Sequence, residues 1–252
     1  MAFQTRHRDK AAVSDYLLLA VLNCARRLKQ RSTCALLVSL SAAVVLNACS
    51  STPPAPDWQM NAKSAMERAQ SAYLEGKSNV EAVEFGRARQ QVASTGRVDL
   101  LARIELARCA TRVASLVFED CAGFNALGQD APAAEQAYAA YLQGRLQPQQ
   151  AALLPEQHRS IAVSGAQGGD LKSIADPLSR LVAAGVLLQT NRVDPVVIAS
   201  AIDTASSQGW RRPLLAWLGI ELKRAQAAGA TVEAARIQRR IGVVGEGGDI
   251  PR

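Results

Sequence analysis

The chain has few of the side chains that hold metal ions. Its 252 residues include two histidines and five cysteines. Beyond residue 57 there are one histidine, His158, and two cysteines, Cys109 and Cys121. The usual structural zinc sites need four such ligands at defined spacings. The sequence therefore predicts no metal site.

Local catalytic motifs are also missing. There is no Gly-x-Ser-x-Gly turn, no glycine-rich phosphate loop, no His-Glu-x-x-His and no Cys-x-x-Cys, the spacings that these chemistries require. We therefore predict that the protein is not an enzyme and binds no cofactor. A serine with His158 as its base stays an alternative, because triads assemble from distant residues. The segment Gln157 to Ser160 predicts instead a polar helix face around His158.

Positive charge is scarce outside the first 48 residues. The formal net charge of the whole chain is +7, of which residues 1–48 carry +5 and the other 204 residues +2. A nucleic-acid binder needs clustered positive charge on its folded surface. Binding to nucleic acid is therefore excluded from the expected functions.

The amino-terminal segment has the composition of an export signal. A basic stretch, Arg26 to Arg31, precedes an uncharged apolar run from Ala35 to Leu46. A run of this length is too short to span a bilayer, which takes about 20 residues. The arrangement predicts a signal peptide over residues 1–48 that is removed on export.

The residues at the end of this leader, Leu46-Asn47-Ala48-Cys49, resemble the lipobox of bacterial lipoproteins. The resemblance implies cleavage between Ala48 and Cys49 and acylation of Cys49, which would anchor the protein in a lipid bilayer. Ser50 is similar to the residue that directs Gram-negative members to the outer membrane, so the periplasmic face of that membrane is the expected location. The alternative is an ordinary signal sequence with a chance cysteine. Residues 49–57, rich in proline and serine, predict a flexible tether.

The body that follows is predicted to be all-α. Alanine, the best helix former, occurs 37 times after residue 48, and alternating β-branched runs are missing. Helices are expected over residues 60–75, 79–94, 97–118, 131–143, 155–164, 171–185, 194–207, 211–228 and 231–243. Helix starts are expected at Asp130, Asp170, Asp194 and Thr231, and helix ends at Gly76, Gly96, Gly144, Gly209 and Gly229. Apolar stripes such as Leu214, Leu218, Leu222 and Ala225, or Ala234, Ile237, Ile241 and Val244, would face neighbouring helices.

The first two predicted helices resemble one tetratricopeptide unit. The residues concerned are Ala72-Tyr73, Gly76, the segment Glu81 to Phe85, and Ala88. Because a stacked array needs about three repeats, an irregular helical bundle is the alternative to tetratricopeptide-like antiparallel hairpins. The domain is expected over residues 58–244, with halves 58–164 and 170–244 separated by the glycine-rich stretch 165–169, and a flexible tail over 245–252.

Two cysteines in an oxidising compartment predict a disulfide between Cys109 and Cys121. A continuous helix would hold their Cα atoms about 18 Å apart, whereas a bridge needs roughly 5.5 Å. The helix is therefore expected to end near Phe118, with the chain folding back to Cys121. Two buried free thiols are the alternative.

Two tryptophans allow different roles. Trp210, with Arg211 and Arg212, forms a candidate binding face for an anionic or glycan partner, whereas Trp217 is expected in the core beside Leu214.

The sequence favours a periplasm-facing outer-membrane lipoprotein that acts as a non-catalytic adaptor or envelope assembly factor and binds an unidentified envelope protein. The alternative is an envelope enzyme or a peptidoglycan-binding lipoprotein. An open groove with aromatic and arginine side chains would favour the first function, and a closed pocket around His158 with a carboxylate would favour the second.

Overall fold

A computed structural model describes residues 55–164 and 170–246 of the chain. The leader with its lipobox, Ala48, Cys49, residues 49–54 of the tether, the stretch 165–169 and residues 247–252 lie outside the described residues. The α-helices are α1 Asp57–Leu74, α2 Ser78–Ala93, α3 Val98–Ala114, α4 Ala122–Asn125, α5 Ala133–Leu142, α6 Glu156–Ser164, α7 Pro177–Gln189, α8 Pro195–Ser207, α9 Arg211–Ala227 and α10 Thr231–Glu246. Two short 3-10 helices, Pro148–Leu153 and Asp170–Ser173, precede α6 and α7. The described residues contain no strand, so the prediction of an all-α fold is confirmed.

Helix ends follow the expected punctuation. All five glycines expected at helix ends have positive φ, a conformation that costs glycine little: Gly76, Gly96, Gly144, Gly209 and Gly229. After α1, Gly76 adopts φ +91°, and the Lys77 N–H then donates to the Ala72 carbonyl oxygen. The glycine therefore lets the chain reverse into α2.

Aspartates cap two helices, and two of the expected aspartate starts are wrong. The helix expected to start at Asp130 begins at Ala133, after Pro132. Asp194 caps α8 by accepting a hydrogen bond from the Val197 N–H, as expected. Asp170, however, begins a 3-10 helix, and α7 starts only at Pro177. Asp176 caps α7, where its side chain accepts from the Ser179 N–H. A proline at the first helical position beside a capping aspartate is the stronger start signal, which places the helix start six residues later than predicted.

The helices pack mainly with their neighbours in sequence. α1 and α2 form an antiparallel hairpin, and α7, α8, α9 and α10 pack successively, each against the next. Helix α3 is the centre of the body, because it contacts α2, α5 and α7. The result is a bundle of paired helices.

One large hydrophobic core extends from α3 to α10. Its buried members include Leu106 and Leu142 before the stretch 165–169, and Leu187, Trp217 and Ile237 after it. The ranges 58–164 and 170–244 therefore share a core and lie in one compact unit. A second, small cluster lies within the first hairpin: Ala65, Met66, Ala69, Phe85 and Ala88.

The stripes of the last two helices meet this core as predicted. Leu214, Leu218 and Ala225 of α9 are buried, as are Ala234 and Ile237 of α10. Leu222, Ile241 and Val244 are partly buried against the same cluster. Helix α10 continues to Glu246, three residues beyond the predicted end at 243.

Trp217 lies fully buried in α9. Its indole N–H donates to the Ala114 carbonyl oxygen at the end of α3, over 3.3 Å. The expected core position of Trp217 is confirmed, and its hydrogen bond joins α9 to the centre of the body.

Candidate functional site

A cleft of about 630 Å³ lies between α3, α5, the first 3-10 helix, α6 and the start of α7. Its apolar lining is formed mainly by Leu106, Ala107, Ala110, Leu154, Leu178 and Val182. Its polar lining is formed mainly by Gln70, Arg103, Glu135, Tyr138, Arg159 and Asp176. The volume is in the range of ligand-binding pockets, which combine apolar walls with a few polar groups. The alanines on α3 provide the space, because a larger side chain at Ala107 would fill it.

Glu135 is the most buried charged group of the cleft. Its side chain is 8% exposed, and its Oε1 accepts a hydrogen bond from the Arg103 Nε. The other oxygen, Oε2, has no hydrogen-bond partner in the described structure. A buried carboxylate oxygen without a donor is costly, so this atom is a ready acceptor for a ligand.

Three other polar groups surround the same space. The Arg159 Nε donates to the Leu154 carbonyl oxygen, over 2.7 Å, which fixes that arginine against the cleft wall. One Asp176 oxygen is used in capping α7. Burial raises the pKa of the Tyr138 hydroxyl, which therefore stays protonated and able to donate.

His158 lies in the core and not on a polar helix face, so that prediction is wrong. Its residue surface is 1% exposed, and its ring lies against the rings of Tyr138 and Tyr141, with centroids 5.8 Å and 5.1 Å away. Burial lowers the pKa of His158 to about 4, although the charge of Asp176 acts in the opposite direction. The imidazole does not line the cleft. The sequence pattern was misleading because the polar neighbours Gln157 and Arg159 are exposed, whereas His158 between them is on the buried side of the helix.

The predicted disulfide between Cys109 and Cys121 is present, with a Cα–Cα distance of 5.7 Å. Helix α3 ends at Ala114, earlier than the expected end near Phe118. The chain turns back through Leu116, which has φ +60°. The Arg112 Nε and the Glu119 Oε1, 2.7 Å apart, hold the returning segment to α3.

The candidate face of Trp210, Arg211 and Arg212 does not lie at the cleft. The Arg212 Nε donates to the Tyr73 carbonyl oxygen and its Nη2 to the Ser78 Oγ, each over 2.7 Å. Its guanidinium also lies 4.3 Å from the centroid of the Tyr73 ring.

The other two residues of this face are also engaged within the fold. Arg211 lies against Gly76, where an added Cβ would come within 2.7 Å of its Nη2. Trp210 is partly buried against the large core. The two arginines therefore join α9 to the turn between α1 and α2.

Sequence reasoning missed a set of four buried glutamates: Glu81, Glu84, Glu105 and Glu135. Each accepts from at least one arginine on another turn or helix. One signal could have revealed two of them. Glu81 and Glu84 share the helical stripe of Phe85 and Ala88, which is the buried face of α2.

The described residues contain no group of three or more histidine, cysteine or acidic side chains that could hold a metal ion. Within the same residues, no helix is both long and apolar enough to cross a membrane. Comparison with protein families, curated proteins and solved structures finds no match to this chain. Function must therefore be inferred from the chain's own residues.

Proposed function

We propose that the protein is an exported lipoprotein, anchored through Cys49 on the periplasmic face of an outer membrane, that binds a partner protein as a non-catalytic adaptor or assembly factor. The observation that supports the binding role is the cleft beside α3. It is partly open to solvent, has apolar walls, and carries Tyr138, Arg103 and Arg159. These are the side chains that favour an adaptor over an enzyme.

The exported location is supported by two independent features. The leader carries the basic stretch, apolar run and cysteine of a lipoprotein signal. The Cys109–Cys121 disulfide fits an oxidising compartment, where such bonds form and persist. The helical body begins at Asp57, eight residues after Cys49, which leaves a short tether.

The test of location is the intact mass of the protein extracted from membranes, with and without reduction and alkylation. We expect a chain that begins at Cys49, carries acyl chains, and gains two alkylated thiols only after reduction. A mass that retains residues 1–48 without acylation would overturn the proposed location.

The binding role is tested by crosslinking in the envelope. A photoreactive residue at Leu153, which lines the cleft and is 44% exposed, should crosslink to one partner reproducibly. The matched control is Val232, which is 83% exposed on α10 and does not line the cleft. Equal crosslinking from both positions would contradict a partner site at the cleft.

The second candidate is an envelope enzyme or a peptidoglycan-binding lipoprotein. One observation favours it: Asp176 lines the cleft and also acts electrostatically on His158, so a carboxylate and an imidazole lie near each other. Co-sedimentation of the protein with purified peptidoglycan, lost on Asp176→Asn, would support this candidate. If the amount of protein in the supernatant is the same with and without peptidoglycan, the adaptor is the better proposal.

A further inference from the structure

The cleft beside α3 has balanced charge. Two arginines, Arg103 and Arg159, and two carboxylates, Glu135 and Asp176, line it. Arg103 is already hydrogen-bonded to Glu135. A ligand of either charge would be attracted by two of these side chains and repelled by the other two. The lining therefore favours a ligand without net charge.

Two polar groups of the cleft differ in what they can offer a ligand: one is an acceptor and the other is a donor. Glu135 Oε2 is buried and has no donor in the described structure. The Tyr138 hydroxyl forms no hydrogen bond within the described residues, and its raised pKa keeps its proton in place. A neutral group that both donates and accepts satisfies this pair, and the peptide group is such a group.

The apolar walls supply the other half of the recognition. Leu106, Leu178 and Val182 surround the space beside Ala107 and Ala110, which their small side chains leave open. A leucine-sized side chain that enters this space would be removed from water on several sides. An extended chain presents such side chains alternately with its backbone N–H and C=O groups.

We propose that the cleft binds an extended, uncharged apolar segment of a partner protein, with a backbone N–H of that segment donating to Glu135 Oε2 and a backbone carbonyl accepting from the Tyr138 hydroxyl. This inference rests on the binding role proposed above and names the chemistry of the partner. It does not depend on the lipid anchor.

The test is a titration of the full chain, followed by NMR signals of the Leu178 and Val182 methyl groups. The protein is held in phospholipid nanodiscs if its mass shows acylation, and in plain buffer if it does not. The probe is an acetylated and amidated hexapeptide that alternates leucine and serine. We expect saturable shifts with a dissociation constant below about 1 mM, and about tenfold weaker binding when the leucine nitrogens are methylated, because the N–H donors are then lost.

Variants of the chain test the two polar contacts. Glu135→Gln should weaken peptide binding about fivefold, because a charged acceptor is replaced by a neutral one. The matched control is Glu105→Gln, since Glu105 is also 8% exposed and accepts from an arginine, Arg89, but does not line this cleft. Tyr138→Phe should weaken binding about threefold while leaving the ring in place.

Several results would overturn the inference. They are no saturable shift with the hexapeptide, tighter binding of dodecylammonium or dodecyl sulfate at the same methyl groups, and equal affinities for Glu135→Gln and Glu105→Gln. A lipidated protein that crosslinks to a partner at Leu153 but ignores the peptide would contradict this ligand class alone. A protein without acyl chains that binds the peptide would contradict the anchor alone.

Discussion

The regions before and after the stretch 165–169 solve the same packing problem with different side chains. In α2, α3 and α5, four buried glutamates lie between helices, each with an arginine partner. In α7 and α8 the buried polar side chains are Ser200 and Thr204, and the Thr204 hydroxyl donates to the Ser200 carbonyl oxygen of its own helix. Helix α7 instead buries seven consecutive residues, 181–187. The first region therefore adds buried ion pairs to its apolar contacts, whereas α7 and α8 pack mainly through apolar contact.

The difference follows from how little apolar surface the first hairpin has. Its own cluster is small, Ile104 and Ala107 of α3 pack against it, and arginines of α3 supply further contacts. Arg108 pairs with Glu81 and also lies 4.3 Å from the centroid of the Phe85 ring. Arg112 lies 4.6 Å from the Tyr73 ring centroid. Each of these arginines both covers an aromatic ring and pairs with a carboxylate. Between the hairpin and α3, arginine side chains therefore do part of the packing that apolar side chains do elsewhere.

The largest expected effect tests the apolar region. Trp217→Ala removes a fully buried indole and its hydrogen bond to Ala114. The free energy of unfolding should fall by about 4 kcal/mol, measured by urea denaturation. Trp210→Ala, at a partly buried position, is the control and should cost clearly less. Equal losses would show that the core of the second region is not centred on Trp217.

The disulfide tests the charged region. Reduction, or the double variant Cys109→Ser with Cys121→Ser, should lower the free energy of unfolding by about 3 kcal/mol, because the bridge closes a short loop in the unfolded chain. Denaturation with and without reductant measures the effect. Reductant must not change the free energy of unfolding of the double variant. If reductant also leaves that of the parent protein unchanged, the bridge is contradicted.

Removing one buried charge should loosen the first hairpin in particular. Glu81 is 4% exposed and pairs with Arg108 and Arg112. Glu81→Gln leaves those arginines without their carboxylate, and we expect a loss of about 2 kcal/mol, since the arginines are only partly buried. Hydrogen exchange should accelerate in α1 and α2 more than in α8. The control Glu67→Gln, at an exposed position, should change the free energy of unfolding by no more than about 0.5 kcal/mol. Equal acceleration of hydrogen exchange in all helices would contradict the difference between the regions.

His158 gives the fold a defined pH dependence. Its pKa is about 4 in the folded protein and about 6.5 when unfolded. Below pH 6.5 the His158 imidazole binds a proton in the unfolded chain, whereas in the folded chain it stays neutral down to about pH 4. The free energy of unfolding therefore falls as the pH is lowered through this range. Between pH 6.5 and 5 the loss should be about 2 kcal/mol. The free energy of unfolding of His158→Gln, from denaturation curves at several pH values, should change less over this pH range. The same pH dependence in the variant and the parent would mean that the imidazole is not buried in its neutral form.

Two glycines inside helices should give effects of opposite sign, and the one at Gly86 is the smallest expected here. Gly86 in α2 has no atom within 4 Å of an added Cβ, so Gly86→Ala should stabilise by about 0.5–1 kcal/mol through helix propensity. At Gly185 in α7 the Cβ would come within 2.4 Å of the Val113 carbonyl oxygen. Gly185→Ala should therefore cost about 1–3 kcal/mol. Melting temperatures that shift in the same direction for both variants would contradict the close approach of α3 and α7.

The sequence was informative where the signal is local. Glycines at helix ends, the cap at Asp194, the apolar stripes of α9 and α10, and the pairing of Cys109 with Cys121 depend on residues near one another in the chain. The stripe of α2 marks Glu81 and Glu84 as buried, but the burial of His158, Glu105 and Glu135 could not be predicted, because each depends on a partner whose position is set by tertiary packing. Glu135 and Arg103, for example, are 32 residues apart. The cleft was missed for the same reason, since its lining comes from several helices.

The contacts of Arg212 also bear on the order in which the chain assembles. Its hydrogen bond to Tyr73 joins residues 139 positions apart, and that of Trp217 to Ala114 joins residues 103 apart. The pairs within the first region are 16 to 32 apart. Since distant contacts need longer loops to close, we expect the first hairpin and α3 to associate while α9 is still being synthesised. Their glutamates and arginines would keep that early intermediate soluble until α9 arrives to cover it.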